Sequence, residues 1–274
     1  MPITLDGTNG ITQADQFNSD STFGFKNRII DGGFTINQRG YVSGTSLSSG
    51  SYGHDRWKGG ASGGTYTFTQ ASAGVNTTIT ITAGTIIQVI EGANLPEGGT
   101  YVLSWTGTAQ GKIGAGSFGA SGITGTITAG TDTNIEFNTG TCGNVQLEVG
   151  STATSFDYRP YGTELNLCYR YYYQLGGDTA YQSINTVAWY TTADGVGYFS
   201  YPVTMRIPPN ISKTGTWVTL GGGGTVGQTL SADQLGNKTV QLGFNSGSGG
   251  TSGQASTLRA NNDTSLRVTF NAEL

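Results

Sequence analysis

This 274-residue chain has few charged side chains. Only 11% of its residues are charged, against about 25% in an ordinary soluble domain. The 13 Lys and Arg residues are scattered singly along the sequence, and the formal net charge is −4. Because a nucleic-acid ligand needs clustered basic side chains to neutralise its phosphates, we expect no nucleic-acid partner. Low charge combined with many aromatic residues also disfavours disorder.

Histidine and cysteine are almost absent. The single histidine, His54, cannot build a usual zinc site, and the two cysteines, Cys142 and Cys168, lie far apart in the sequence. The cysteines are either reduced and buried or joined in a bridge, since two cysteines define no disulfide framework. No Ser-containing nucleophile elbow accompanies His54. The sequence therefore predicts no metal site, no cofactor and no catalytic residue.

Long apolar runs and a leader segment are also missing. The longest apolar stretch, at 86–90, is far too short to span a bilayer, so no membrane insertion is expected. The N-terminus has neither a basic start nor an apolar run, which predicts no secretory signal. We expect the chain to be made in the cytoplasm and to leave it, if at all, by a route such as lysis.

Glycine and aromatic residues are abundant instead. The chain contains 46 Gly, 14 Tyr, 11 Phe and 4 Trp. Thr, Tyr, Phe, Val and Ile suit a pleated surface, whereas Gly and Asn suit turns. Apolar and polar residues alternate at 65–70, 78–82, 101–105 and 145–149, which is typical of strands. The sequence predicts an all-β fold of short strands packed as two-sheet sandwiches, with no parallel α/β arrangement.

Three segments are predicted along the chain. Residues 1–26 are polar and weakly patterned, and form either an N-terminal attachment arm or a disordered terminus. Residues 27–162 form a jelly-roll-like β-sandwich. A single helical turn at 163–168, capped by Thr163 and with Glu164 near its positive end, marks the boundary. Residues 163–274 form a second, C-terminal domain of the β-sandwich type.

Three groups of residues resemble a recurrent pattern of phage and prophage tail proteins. The first group comprises Asn27-Arg28-Ile29-Ile30-Asp31-Gly32-Gly33-Phe34, Gln38-Arg39-Gly40 and His54-Asp55-Arg56-Trp57. The second comprises Val145-Gln146-Leu147-Glu148-Val149-Gly150, Ala153-Thr154-Ser155-Phe156 and Arg159-Pro160-Tyr161-Gly162-Thr163-Glu164-Leu165. The third comprises Cys168-Tyr169-Arg170-Tyr171-Tyr172, Val203-Thr204-Met205-Arg206, Pro208 and Ala272-Glu273-Leu274. Residues 1–11 also resemble the starts of such fibres, which there precede long shafts; this chain has no shaft.

The resemblance implies a tail-fibre or receptor-binding protein of the virion that adheres to a host cell-surface glycan and is not an enzyme. Residues 27–162 would be a carbohydrate-binding-module-like sandwich, and 163–274 the candidate receptor-binding tip. Expected partners are two further copies in a homotrimer and, through the arm, other tail or baseplate proteins. Such sandwiches often hold a structural calcium. Asp31 and Glu148 lie in the corresponding strands, with ordinary hydrogen bonding at strand ends as the alternative.

Aromatic side chains are the candidate ligand-binding residues. A Trp or Tyr ring offers the apolar C–H face of a sugar a flat partner with a polar edge. Neighbouring residues of a strand point to opposite faces, so one ring of each adjacent pair should leave the local core. Such a ring lines either a ligand site or a subunit interface. The candidates are Tyr171, Tyr172, Trp189, Tyr190 and Trp217.

Two other functions stay open at this point. A secreted or surface carbohydrate-binding module without a virion role fits the same fold, although the missing signal disfavours it. A small glycan depolymerase needs a pair of carboxylates, and the sequence brings no two of Glu91, Glu136 and Glu148 together. Asp55 and Arg56 are expected to make surface or inter-strand contacts, with the next residue, Trp57, in the core.

Overall fold

The computed structural model describes residues 25–221, 226–227, 229–245 and 249–274, together with the backbone at 5–6 and 10–11. The predicted attachment arm, 1–26, lies almost wholly outside the described residues. The described part is mostly antiparallel β-strand, which confirms the predicted all-β fold. None of its helices is long and apolar enough to cross a membrane. The chain divides into two compact units, Met1–Glu164 (unit 1) and Leu165–Leu274 (unit 2).

The described residues of unit 1 form ten strands and one short 3-10 helix, Gly92–Asn94. The strands are β1 (Leu5–Asp6), β2 (Gly10–Ile11), β3 (Ser46–Leu47), β4 (Lys58–Thr67), β5 (Ile79–Ile90), β6 (Gly99–Thr106), β7 (Gly111–Ile113), β8 (Ile123–Ile127), β9 (Thr133–Phe137) and β10 (Gly140–Val149). All four strands predicted from alternation in this part overlap observed strands, namely β4, β5, β6 and β10.

The sheet of unit 1 branches at β5. β1 and β2 pair with each other, six of the other strands follow the order β3-β4-β5-β10-β6-β8, and β7 and β9 lie off this path. The first residues of β5 pair with β10, whereas its last five residues, 86–90, pair with β9, which in turn pairs with β7. The sheet therefore curls around one apolar core, which includes Trp57, Tyr66 and Phe137. β7 and β8 end the two branches, and no ladder among the described strands joins them.

A nine-residue helix, α1 (Tyr161–Tyr169), spans the division between the units. It begins two residues before the predicted helical turn, so Thr163 is not its cap. The carbonyl of Pro160 accepts hydrogen bonds from the backbone N–H groups of Thr163 (2.9 Å) and Glu164 (3.1 Å). The fixed φ of proline is compatible with a helix start, and its missing N–H costs nothing there. Thr163 consequently lies within the first turn.

In the part of unit 2 that the structure describes, the strands form two antiparallel sheets. Its strands are β11 (Tyr172–Leu175), β12 (Ser183–Trp189), β13 (Asp194–Ser200), β14 (Asn210–Thr214), β15 (Trp217–Leu220), β16 (Val226–Gly227), β17 (Thr229–Leu235), β18 (Thr239–Asn245), β19 (Ala255–Ala260) and β20 (Arg267–Asn271). The smaller sheet has the order β11-β20-β14, and the larger has the order β16-β15-β19-β12-β13-β18-β17. Their apolar residues form a second core, separate from that of unit 1, which includes Trp189, Phe244 and Phe270.

Candidate ligand-binding face

Four of the five candidate aromatic rings, all of them in unit 2, are buried. They are Tyr171, Tyr172, Trp189 and Trp217. A buried ring cannot present its face to a sugar. These four rings therefore lack the exposed surface that the expected ligand-binding role needs. Tyr190 alone of the five is accessible, with 59% of its surface exposed.

Strand alternation fails at Tyr171 and Tyr172 because the chain changes conformation there. Tyr171 lies between the end of α1 and the start of β11. Its N–H donates to the carbonyl of Cys168 (2.9 Å), as at a helix end, while its own carbonyl accepts from the N–H of Ala272 (2.8 Å). The two rings are therefore not consecutive members of one strand. Trp217 is interior for another reason, since both faces of β15 are covered and the next residue, Val218, is also buried.

Alternation holds at Trp189 and Tyr190. The Trp189 ring packs against Phe244, with ring centroids 5.0 Å apart, and its Nε1 donates to Ser256 Oγ (2.8 Å). The next residue, Tyr190, lies in the bend that follows β12, and its N–H donates to the carbonyl of Asp194 (3.0 Å). Its side chain leaves the sheet on the side opposite Trp189.

Tyr198, in β13, is the most exposed tyrosine of unit 2, with 67% of its surface accessible. The inner face of β13 carries two glycines, Gly195 and Gly197. A Cβ at Gly195 would lie 2.0 Å from Cζ of Phe244, and one at Gly197 would lie 2.6 Å from Cγ1 of Val187. Side chains from neighbouring strands therefore fill the inner side of β13. Tyr198, which lies between Gly197 and Phe199, points outward.

Tyr181 lies on the same outer side as Tyr198. The guanidinium carbon of Arg259 is 4.9 Å from the centre of the Tyr181 ring. Arg259 is flanked in β19 by the buried residues Leu258 and Ala260, so its own side chain points away from the core. Tyr181, with 51% of its surface exposed, therefore packs on the outer face of the seven-stranded sheet.

Three exposed tyrosines, Tyr181, Tyr190 and Tyr198, thus share one surface, which we call the tyrosine face. Ala188 pairs with Val196 across β12 and β13. This register places Tyr190 and Tyr198 four residues apart along the strand direction, or about 13 Å. Tyr181 lies near the other end of β12, where Ser183 pairs with Arg259. The rings therefore form a row along the strands.

Small and uncharged residues separate the three rings. Ala188 and Ala255 pair with each other on this face, and so do Thr186 and Thr257. Gln241 pairs with Tyr198 from β18. The charged residues that we place on the face are Arg259, which stacks on Tyr181, and Asp194, whose Oδ2 accepts from Thr191 Oγ1 (3.1 Å). The result is a broad, nearly neutral surface with projecting rings.

The residues of the tail-protein resemblance in unit 1 form a buried polar network. Asp31 Oδ1 accepts hydrogen bonds from the N–H groups of Thr35 (2.6 Å) and Ile36 (3.1 Å), and the Asp31 carbonyl accepts from Trp57 Nε1 (2.9 Å). Burial raises the pKa of Asp31 well above its ordinary value. Asp31 therefore fixes the loop that follows it and packs that loop on the Trp57 ring.

Asp55 and Arg56 are buried, so a surface position for them is wrong. Asp55 Oδ1 accepts from the N–H of Gln38 (3.0 Å). Arg56, in the turn before β4, donates from its Nη2 to the carbonyl of Val89 in β5 (2.6 Å), so this contact joins a turn to a strand and is not an inter-strand contact. Trp57 lies in the core, as predicted.

His54 is enclosed by aromatic rings. Its Nδ1 lies 3.0 Å from the hydroxyl of Tyr66, and its ring centroid lies 4.5 Å from that of Phe68 and 5.9 Å from that of Phe34. Its Nε2 has no hydrogen-bond partner within the described part of the chain. Burial lowers the pKa of His54 to about 4. The imidazole is therefore a neutral core group with no access to a substrate.

The carboxylates proposed for calcium or catalysis are engaged in hydrogen bonds. Glu148 accepts from the N–H (2.8 Å) and the hydroxyl (2.7 Å) of Thr154. Glu136 pairs with Lys112 (2.8 Å) and accepts from Thr85 Oγ1 (2.7 Å). Within the described ranges, no group of three or more His, Cys, Asp or Glu side chains could hold a metal ion. For Asp31 and Glu148, the geometry is that of ordinary hydrogen bonding.

The two cysteines are buried, one in each unit, and no disulfide joins them. Burial raises the pKa of the Cys142 thiol. Of the two states that the sequence left open, the structure has the unbridged one.

Tyr181 and Tyr198 were not among the sequence candidates. Tyr198 carries a usable signal, because it stands in a Gly-Tyr-Phe sequence in which only one of two adjacent rings can face the core. Tyr181 carries none, since its partner Arg259 is distant in the sequence. Comparison of the chain with models of known protein families, with curated proteins and with solved structures finds no match, and the function is therefore inferred from the chain's own residues.

Proposed function

We propose that the protein is a phage tail fibre or receptor-binding protein that adheres to a glycan of the host cell surface. The observation that carries the proposal is the tyrosine face, on which Tyr181, Tyr190 and Tyr198 expose rings on one side of one sheet. Exposed tyrosines in a row offer both flat apolar surface and hydroxyl groups. These match the apolar C–H faces and the hydroxyl groups of a sugar.

The spacing of the rings favours a chain of sugars over a single one. About 13 Å separates Tyr190 from Tyr198 along the strands, and the residues between them are small. An extended glycan lying along β12 and β13 could contact both rings while meeting the hydroxyl and amide groups of Thr186 and Gln241. The scarcity of charge on this face favours a neutral glycan.

The virion part of the proposal rests on the resemblance of residues 27–274 to tail proteins. Under this proposal the protein is part of the tail, and residues 1–26 contact other tail or baseplate proteins. Labelling purified particles with an antibody against the chain separates this proposal from a secreted binding module. Release of reducing sugar from host envelopes would instead favour a depolymerase.

Replacement of Tyr198 by alanine is expected to weaken glycan binding about fivefold, because loss of one aromatic contact is worth roughly 1 kcal/mol. Arrays of bacterial capsular, O-antigen and cell-wall glycans, probed with the purified full chain, identify a bound glycan. Titration calorimetry with that glycan then compares the variant with the unaltered protein. Tyr190→Ala should have a similar effect.

Tyr158→Ala is the matched control, because Tyr158 is as exposed as Tyr198 (68%) but belongs to unit 1. We expect it to bind the glycan normally. Equal losses in Tyr158→Ala and Tyr198→Ala, or no loss in either Tyr198→Ala or Tyr190→Ala, would refute the assignment of the glycan to the tyrosine face.

The purified chain is expected to be a homotrimer. A surface with so few charges resists association poorly, and aromatic residues are enriched in subunit interfaces. Light scattering should give three times the chain mass of 28.5 kDa. A stable monomer contradicts this prediction. If Tyr198→Ala converted trimers to monomers, the tyrosine face would be a subunit interface and not the glycan site.

A further inference from the structure

A cleft of about 590 Å³ opens in unit 1, where the two branches of the sheet end. One side is β8, the last strand beyond β6, and the other is formed by β7 and β9, beyond β5. The turn at 114–116 and the segment at 128–134 complete its rim. The cleft shares no residue with the tyrosine face, which belongs to unit 2.

The backbone of Gly125 and the side chains of Ile113 and Ile127 form the floor of this cleft. A Cβ at Gly125 would lie 3.1 Å from Cβ of Ile113, so the missing side chain lets β8 approach β7 closely. Ile113 and Ile127 are buried beneath the opening. Apolar packing between β7 and β8 therefore closes the bottom of the cleft. Because no further strand fits between them, the space above suits a compact ligand.

The rim of the cleft carries hydrogen-bonding groups in fixed positions. The carbonyl of Asn134 accepts from the N–H of Gly114 (2.7 Å), which ties one side of the rim to the turn. Asp132 Oδ1 accepts from the N–H of Gly92 (2.6 Å), which orients that carboxylate. The side chains of Thr126 and Asn134 line the cleft, and both are solvent-exposed. Amide, hydroxyl and carboxylate oxygens thus surround an apolar floor.

We propose that this cleft is a second binding site, for a small neutral saccharide. Its volume lies in the range usual for ligand sites, roughly 300–1,000 Å³. The described residues that line it include no Lys or Arg to attract an anion and only one carboxylate, Asp132, which is too few to hold a cation. Several hydroxyl and amide groups over isoleucine match the hydroxyls and C–H faces of a sugar.

The site is tested by nuclear magnetic resonance on the full-length protein labelled with ¹⁵N. Maltose, lactose and cellobiose are the probes, each added at millimolar concentration, with glucuronic acid and glucosamine as charged counterparts. We expect at least one neutral disaccharide to shift the backbone signals of residues 113–116 and 125–134. The charged sugars should shift them at least tenfold less at equal concentration.

Thr126→Trp, which fills the cleft, should weaken the response at least tenfold. Thr80→Trp is the matched control, because Thr80 is an exposed strand threonine of unit 1 outside the cleft. Thr80→Trp and Tyr198→Ala should both respond like the unaltered protein. The proposal fails if no neutral disaccharide shifts these signals, if charged sugars do so equally, or if Thr126→Trp has no effect. Retained binding in Tyr198→Ala makes this outcome independent of the tyrosine face.

Discussion

Replacement of Trp57 by alanine should lower the free energy of unfolding of unit 1 by about 4 kcal/mol, at the upper end for single substitutions. Trp57 is completely buried, and its ring centroid lies 4.9 Å from that of Phe34. Its Nε1 also satisfies the Asp31 carbonyl (2.9 Å), which the variant would leave without this donor. In scanning calorimetry, the transition of unit 1 should fall by about 10 °C.

Trp57→Phe separates the two contributions to this effect. It keeps most of the ring packing and removes only the Nε1 donor, so we expect a loss of about 1–3 kcal/mol. Tyr158→Ala, at an exposed position, should change stability by about 0.5 kcal/mol or less. A loss below about 1 kcal/mol in Trp57→Ala would contradict the proposed structural role of the motif residues.

Acidification from pH 7 to pH 4 should destabilise unit 1 through His54 by about 3 kcal/mol. The pKa of His54 is about 4 in the folded protein, against about 6.5 in an unfolded chain. Between these values the unfolded state binds more protons, so stability falls as the pH falls. A charged imidazole among Phe34, Tyr41 and Phe68 would also carry an N–H at Nε2 without a partner.

The comparison with His54→Asn isolates this effect. Asp31 acts in the opposite direction, because its raised pKa favours the protonated folded form and reduces stability as the pH rises. Both proteins retain Asp31, so the difference between their urea-unfolding free energies reports His54 alone. That difference should shrink or change sign between pH 7 and pH 4. A constant difference across this range would show that His54 is not a buried neutral group.

Local alternation predicted the strands and that one ring of the Trp189-Tyr190 pair faces outward, because both depend on a period of two within one segment. It could not predict which of the adjacent rings, Tyr198 or Phe199, faces outward. That orientation is decided by Phe244 and Val187, which come from other strands and fill the space beside Gly195 and Gly197.

The burial of Asp55 and Arg56 also could not be predicted from the sequence. Asp55 and Arg56 look like surface residues, since a buried charge is costly without partners. Their partners, Gln38 and the carbonyl of Val89, become neighbours only when the sheet has formed. The tail-protein resemblance pointed to these positions, and the structure gives them a structural role.

Gly195 and Phe244, which pair across β13 and β18, have a consequence for how the protein can evolve. The phenyl ring occupies the space that any side chain at position 195 would need. A larger residue at 195 therefore requires a smaller one at 244, and the two positions should co-vary among homologues. Tyr198 lies on the opposite side of the same strand, so a change of side-chain size at 195 and 244 does not affect it. Lineages can thus alter the exposed ring at position 198 while the scaffold beneath it stays unchanged.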